Sequence, residues 1–199
     1  MWGSFLPRRS LRPIGAAVLA AALLGACAPG GLQRTSATAR LPAAQAVFEA
    51  SGRLSARHGA DALAANFQWR HAGEGDELEL SSPLGQTIAM LTGDGGGARM
   101  RTSQGRVLGA PSWTELTREG LGWPLPVDGL EYWIQGVPRP GASFAAEPDA
   151  DGRVAVLRQD GWTIAYQGYV QRADDAWRPT RMTATYPEVE LRLAIDRWR

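Results

Sequence analysis

One cysteine, two histidines and 20 carboxylates are the groups in this 199-residue chain that offer covalent, acid–base or metal chemistry. A lone thiol, Cys27, forms no disulfide within the chain and builds no zinc site alone. His58 and His71 each lie beside a glycine- or alanine-rich turn, where a solvated surface histidine is expected. Neither falls in a serine-nucleophile or metal motif. The acids sit mostly on strand outer faces and in turns, so no general acid–base pair can be argued. Gly93-Asp94-Gly95-Gly96-Gly97 is glycine-rich. A phosphate cradle must open a helix, and the residues that follow read as a strand, so this stretch is a turn. No catalytic residue, metal or enzymatic activity is expected.

Cys27 has a better explanation in its position. Residues 1–12 carry three arginines and no acid, and Ile14 to Ala26 is an unbroken run of apolar and small residues. The run is shorter than the about 20 residues a membrane span needs and reads as a secretory signal. Its end, Leu24-Gly25-Ala26-Cys27, resembles the bacterial lipobox, in which the cysteine is acylated and becomes the mature N-terminus. Residues 1–26 are then the signal peptide, and the covalent lipid on Cys27 is the only attached group expected. Arg8-Arg9 lacks the aromatic context of a twin-arginine signal. Ala28 follows the cysteine where an aspartate would retain an enteric lipoprotein at the inner membrane, so the outer membrane is expected. Residues 27–43 read as the lipidated end and a flexible tether. The folded domain is expected over 44–199.

A second unusual residue is Leu84. It sits in Ser82-Pro83-Leu84-Gly85, where Pro83 and Gly85 supply turn chemistry. A large aliphatic at a turn tip is unburied unless it folds back onto its sheet or something outside covers it. Either Leu84 folds back onto its own sheet, or Pro83, Leu84 and Gly85 form a hydrophobic finger that touches a membrane or a lipidated client.

The elements around these residues are mostly strands. Ala43 to Ala50 reads as a short helix and Gly52 to Arg57 as a strand. From Ala60 to Arg70, Leu63, Ala65, Phe67 and Trp69 share one face. Leu78 and Leu80 continue that face on the next strand, with Ile88 and Met90 expected on it after the Leu84 turn. Ser112 and Glu115 form a capping box that opens a helix through about Leu121, and Val127 to Gln135 reads as a second helix. Strands resume after Gly141 and end with Leu191, Leu193 and Ile195 in alternation. The fold expected is mainly β: an open antiparallel barrel of ten or eleven strands, with a helical lid over a hydrophobic cavity. By face alone, Leu54, Phe67, Trp69, Leu78, Leu80, Ile88, Met90, Trp113, Leu116, Leu130, Trp133, Trp162, Ile164 and Tyr166 are candidates for cavity wall or lid, with packed core as the alternative for each.

These pieces together resemble the LolB family. The resemblance rests on the lipobox at Cys27, Gly52-Arg53-Leu54-Ser55, Phe67-Gln68-Trp69 and Ser82-Pro83-Leu84-Gly85-Gln86. It continues through Pro126-Val127 with Leu130 and Trp133, Gly136 and Pro138, Gln159-Asp160-Gly161-Trp162 with Ile164 and Tyr166, Pro179, and the terminal Leu191, Leu193, Ile195 and Trp198. It implies an outer-membrane receptor facing the periplasm that accepts lipoproteins from a LolA-like carrier. It also implies that client acyl chains sit in the cavity and that Leu84 passes them to the membrane's inner leaflet. The alternative is a structural outer-membrane lipoprotein with no transfer role. Without residues 1–26 the chain has 18 basic residues against 20 acidic, which gives no footprint for nucleic acid. A monomer is expected.

Overall fold

The computed structural model describes residues 38–73, 75–173 and 175–199. The expected signal peptide, Cys27 and most of the tether lie outside them. Residues 37–199 form one compact unit.

Six strands follow one another as an antiparallel meander: β1 (Val47–His58), β2 (Asp61–Ala72), β3 (Gly75–Ser81), β4 (Thr87–Asp94), β5 (Gly97–Thr102) and β6 (Val107–Ala110). Two helices come next, α1 (Trp113–Leu121) and α2 (Val127–Trp133). The second half contains β7 (Phe144–Pro148), β8 (Val154–Gln159), β9 (Trp162–Tyr166), the small pair β10 (Tyr169–Gln171) and β11 (Trp177–Pro179), then β12 (Arg181–Tyr186) and β13 (Val189–Trp198). β13 returns to pair with β1, which joins the halves into one 11-stranded sheet ordered β6-β5-β4-β3-β2-β1-β13-β12-β9-β8-β7. Its edges, β6 and β7, do not pair, so the barrel is open. The chain that joins those two edges is the helical insert. The mainly β open barrel with a lid is the architecture the alternation predicted.

The sheet buries one face because its strands keep period two. On β2, Ala65, Phe67, Trp69 and His71 are buried between more exposed neighbours, and on β13 Val189, Leu191, Leu193 and Ile195 are. Gly52 sits at the bulge of the β1–β13 ladder, where an added Cβ would lie 2.0 Å from the Ala194 carbonyl oxygen. Only a residue without a side chain lets the two backbones approach that closely. In α1 the Glu115 N–H donates to the Ser112 hydroxyl at 3.2 Å, and Gly122 closes the helix at φ 86°.

Two readings need correction. Residues 43–50 are not helical: from Val47 the chain is the start of β1, paired to β2 from Val47↔Ala72 onward. The alanines allow a helix, but the open ladder of β2 satisfies the backbone and buries Phe48. The folded part also begins before residue 44. The Arg40 N–H donates to the Gly152 carbonyl at 2.8 Å, and the Arg178 guanidinium donates to the Ala43 carbonyl at 3.1 Å.

The registers sort the turns by end. The β1–β2, β3–β4, β5–β6, β8–β9 and β12–β13 turns lie at one end of the sheet, which is also the end of Leu84. Arg40, bridged to Arg153 before β8, lies at the other.

Candidate functional site

The concave face of the sheet and the underside of the helices enclose an apolar cavity of about 70 Å³. Leu54 and Leu63 from β1 and β2, Phe67 and Trp69 further along β2, and Leu78 and Leu80 on β3 form much of the sheet wall. Leu91, Met100, Leu191 and Leu193 complete it. Leu116 and Thr117 from α1, Leu125 from the link, and Val127 and Leu130 from α2 form the roof. The polar groups on this wall are satisfied. The Thr117 hydroxyl donates to the Trp113 carbonyl at 3.0 Å and accepts the Leu125 N–H at 2.8 Å, which ties α1 to the link. The Trp69 indole N–H donates to Asp76 Oδ1 at 2.6 Å. A chamber with no unpaired polar group carries no desolvation cost for an alkyl chain.

Of the wall and lid candidates, the structure brings Leu54, Phe67, Trp69, Leu78, Leu80, Leu116 and Leu130 together around this cavity. Trp133, Trp162, Ile164 and Tyr166 pack beside it, under the end of α2. There the Trp133 indole N–H donates to Gln159 Oε1 at 2.9 Å, and the Tyr166 hydroxyl donates to the Trp133 carbonyl at 2.9 Å. Burial holds the Tyr166 pKa well above the ordinary phenol value, so this donor keeps its proton. Trp113 is buried against Gly93, where no side chain fits. Ile88 is half-buried at the core margin. Met90 is a correction: it lies on the outer face, 39% exposed, and Ala89 and Leu91 point inward instead. The ladder slips between Leu80 and Ser81, so the face changes by one residue across the turn.

The loop between β3 and β4 holds Leu84 clear of the fold, 90% exposed. It is braced at its base. The Gly85 N–H donates to the Ser82 carbonyl and the Ser82 N–H to the Gln86 carbonyl, both at 2.8 Å. The Asn66 side chain donates to the Ser82 carbonyl at 3.0 Å. Leu84 therefore does not fold back onto its own sheet.

The lid is also held by polar groups. His71, read as a surface histidine, is buried. It stacks on Phe48, and its Nδ1 lies 2.9 Å from Asp76 Oδ1 and 3.8 Å from Glu131 Oε2 on α2. The β2–β3 hairpin and α2 make this burial, which no local signal near Gly73 announces. His58 is half-buried and stacks on Trp123 of the link between the helices. Burial pushes the Glu131 and Asp128 carboxyl groups above their usual range, with the nearby Asp76 charge adding to it. His71, Asp76 and Glu131 place three ligand atoms within 4.8 Å of one another. Asp76 Oδ1 also accepts from the Trp69 indole N–H and faces His71 Nδ1.

Residues 46–198 match the family of the outer membrane lipoprotein LolB. The outer-membrane lipoprotein LolB of Chromobacterium violaceum is 37% identical over 180 residues, covering 90% of this chain and 94% of the relative. That of Azoarcus sp. is 36% identical over 182 residues and covers 92% of both chains. That of Nitrosomonas europaea is 33% identical over 153 residues, 76% of this chain and 72% of the relative. The chain belongs to the LolB family. The LolB match starts one residue before β1 and ends on the last residue of β13, so it spans the sheet, both helices and the Leu84 loop. Among the described residues, no helix is long and apolar enough to cross a membrane. Cavity residues that the sequence did not single out for the wall are Leu63, Leu91, Met100, Thr117, Leu125, Val127, Leu191 and Leu193. Strand alternation already placed Leu63, Leu191 and Leu193 on an oily face.

Proposed function

We propose that this protein is an outer-membrane receptor that accepts lipoproteins from a LolA-like periplasmic carrier and inserts them into the inner leaflet. The relatives' shared name supports the outer membrane as its place of work. Lipid on Cys27 anchors it there, with the domain facing the periplasm as a monomer. The observation that carries the reading is the apolar cavity between sheet and lid. A cavity of about 70 Å³ is far below the roughly 300–1,000 Å³ of ordinary ligand sites, so it must widen to take an acyl chain. An acyl chain enters only when α1 and α2 move off the sheet. Each buried CH₂ contributes about 0.8 kcal/mol, so a client moves from carrier to cavity to bilayer without nucleotide when each site hides more of its chain than the last. No group needs to react.

The test is transfer. The 37–199 unit is mixed with a carrier loaded with a fluorescent acylated lipoprotein, in the absence of ATP. Movement of the label onto this domain is the expected result. A folded domain that takes no label sinks the acceptor reading and leaves a structural lipoprotein.

A further inference from the structure

We infer that the β5–β6 hairpin is a second membrane contact beside the Leu84 loop, one that settles its arginines on anionic phospholipid headgroups. The inference rests on the reading of the domain as one that works at a bilayer.

From Gly95 to Thr114 the chain carries three arginines, Arg99, Arg101 and Arg106, and no acid. This is a local excess in a chain whose acids outnumber its arginines after residue 26. Six arginines elsewhere, Arg53, Arg70, Arg139, Arg153, Arg158 and Arg192, sit in ion pairs. Arg101 and Arg106 are exposed and make no ion pair among the described residues. Their neighbours are apolar. Arg101 lies between Met90 on β4 and Val107 on β6 in the cross-strand register. Met90 is 39% exposed and Val107 52%. The nearest acid across the ladder, Glu79 opposite Met90, accepts a hydrogen bond from the Thr87 hydroxyl at 2.9 Å.

The hairpin is fixed to the loop it accompanies. The Ser103 N–H donates to the Ile88 carbonyl at 2.9 Å, just past the Leu84 turn, and the Thr102 N–H donates to the Arg106 carbonyl at 2.9 Å. A protruding leucine, two exposed apolar side chains and two unpaired arginines thus share one end of the sheet. Arginine suits this setting because its stem lies along apolar surface while its guanidinium reaches phosphate. Charge complementarity selects an anionic bilayer as the occupant.

The test measures vesicle binding of the 37–199 unit, which carries the complete core. Vesicles of phosphatidylethanolamine are compared with vesicles that also contain phosphatidylglycerol. Each arginine brought to an anionic surface strengthens binding about fivefold, so R101S/R106S should weaken binding to the anionic vesicles roughly 25-fold. Binding to neutral vesicles should not change, and high salt should erase the difference. Thermal melts confirm folding, and R101K/R106K should restore binding. Unchanged affinity of R101S/R106S for anionic vesicles overturns the proposal. So does intact vesicle binding with lost transfer from the carrier, which would make the hairpin a protein-docking site. If Leu84→Glu leaves delivery intact while the arginine pair still sets vesicle affinity, the role of the loop falls and the hairpin contact stands.

Discussion

Leu84 is 90% exposed, so its side chain contributes almost nothing to the folded state. That separates the proposed role from stability at a single residue. Leu84→Glu should leave the melting temperature within the range of a neutral surface change, about 0.5 kcal/mol. Acyl-chain uptake should also survive, because the cavity wall does not include Leu84. Delivery to vesicles should fail, since a carboxylate at the tip resists entry into hydrocarbon. Calorimetry and a two-stage transfer assay read the two effects separately. A large fall in melting temperature would show that Leu84 packs in the fold after all. His71 teaches the reverse lesson: the sequence around it suggests a wet turn, yet Phe48, Asp76 and Glu131 close around its ring.

At the scale of elements, α2 is the part whose docking responds to pH. Glu131 and Asp128 both have raised pKa values, chiefly from burial. Docking raises those pKa values, so the protonated acids favour the docked helix. Their contribution is fully present below the ordinary carboxylate pKa and is lost as pH rises through the raised one. Protection of α2 amides from hydrogen exchange, corrected for intrinsic rates, should therefore increase as pH falls through the raised carboxyl range. Glu131→Gln should flatten that dependence, and an unchanged profile in this variant would place the control elsewhere. Strands with strict alternation, β2 and β13, were legible in the sequence down to their inward residues. So was α1, because Ser112, Glu115 and Gly122 mark its ends locally. Met90 was not legible, because the slip at Leu80 and Ser81 is a property of two paired strands. The start of β1 was misread for a related reason: alanines around Val47 and Phe48 permit a helix, and only the partner strand decides. Half of the named wall residues reached the cavity, since alternation gives the face of a strand but not which part of that face lies under the lid.

At the scale of the whole molecule, the feature with the widest reach is where the chain joins its barrel. Arg40 is docked at the end of the sheet opposite Leu84. On the proposed lipidation of Cys27, the 13 residues from there to Arg40 would reach at most about 45 Å, the longest leash the chain length allows. The 12 residues of β1 alone run about 40 Å along the strand. An upright domain can press Leu84 into the leaflet that holds its own lipid only on a nearly straight leash. Removing six residues between Ala28 and Ser36 should slow delivery by the anchored protein sharply, and restoring the length with Gly-Ser repeats should recover it. The unanchored 37–199 unit should deliver at a rate that ignores this length altogether. Equal rates for the short and full leashes would mean that the barrel lies on its side. A slower short leash would make mooring length a ruler, setting how far from its own lipid each receptor can place a client.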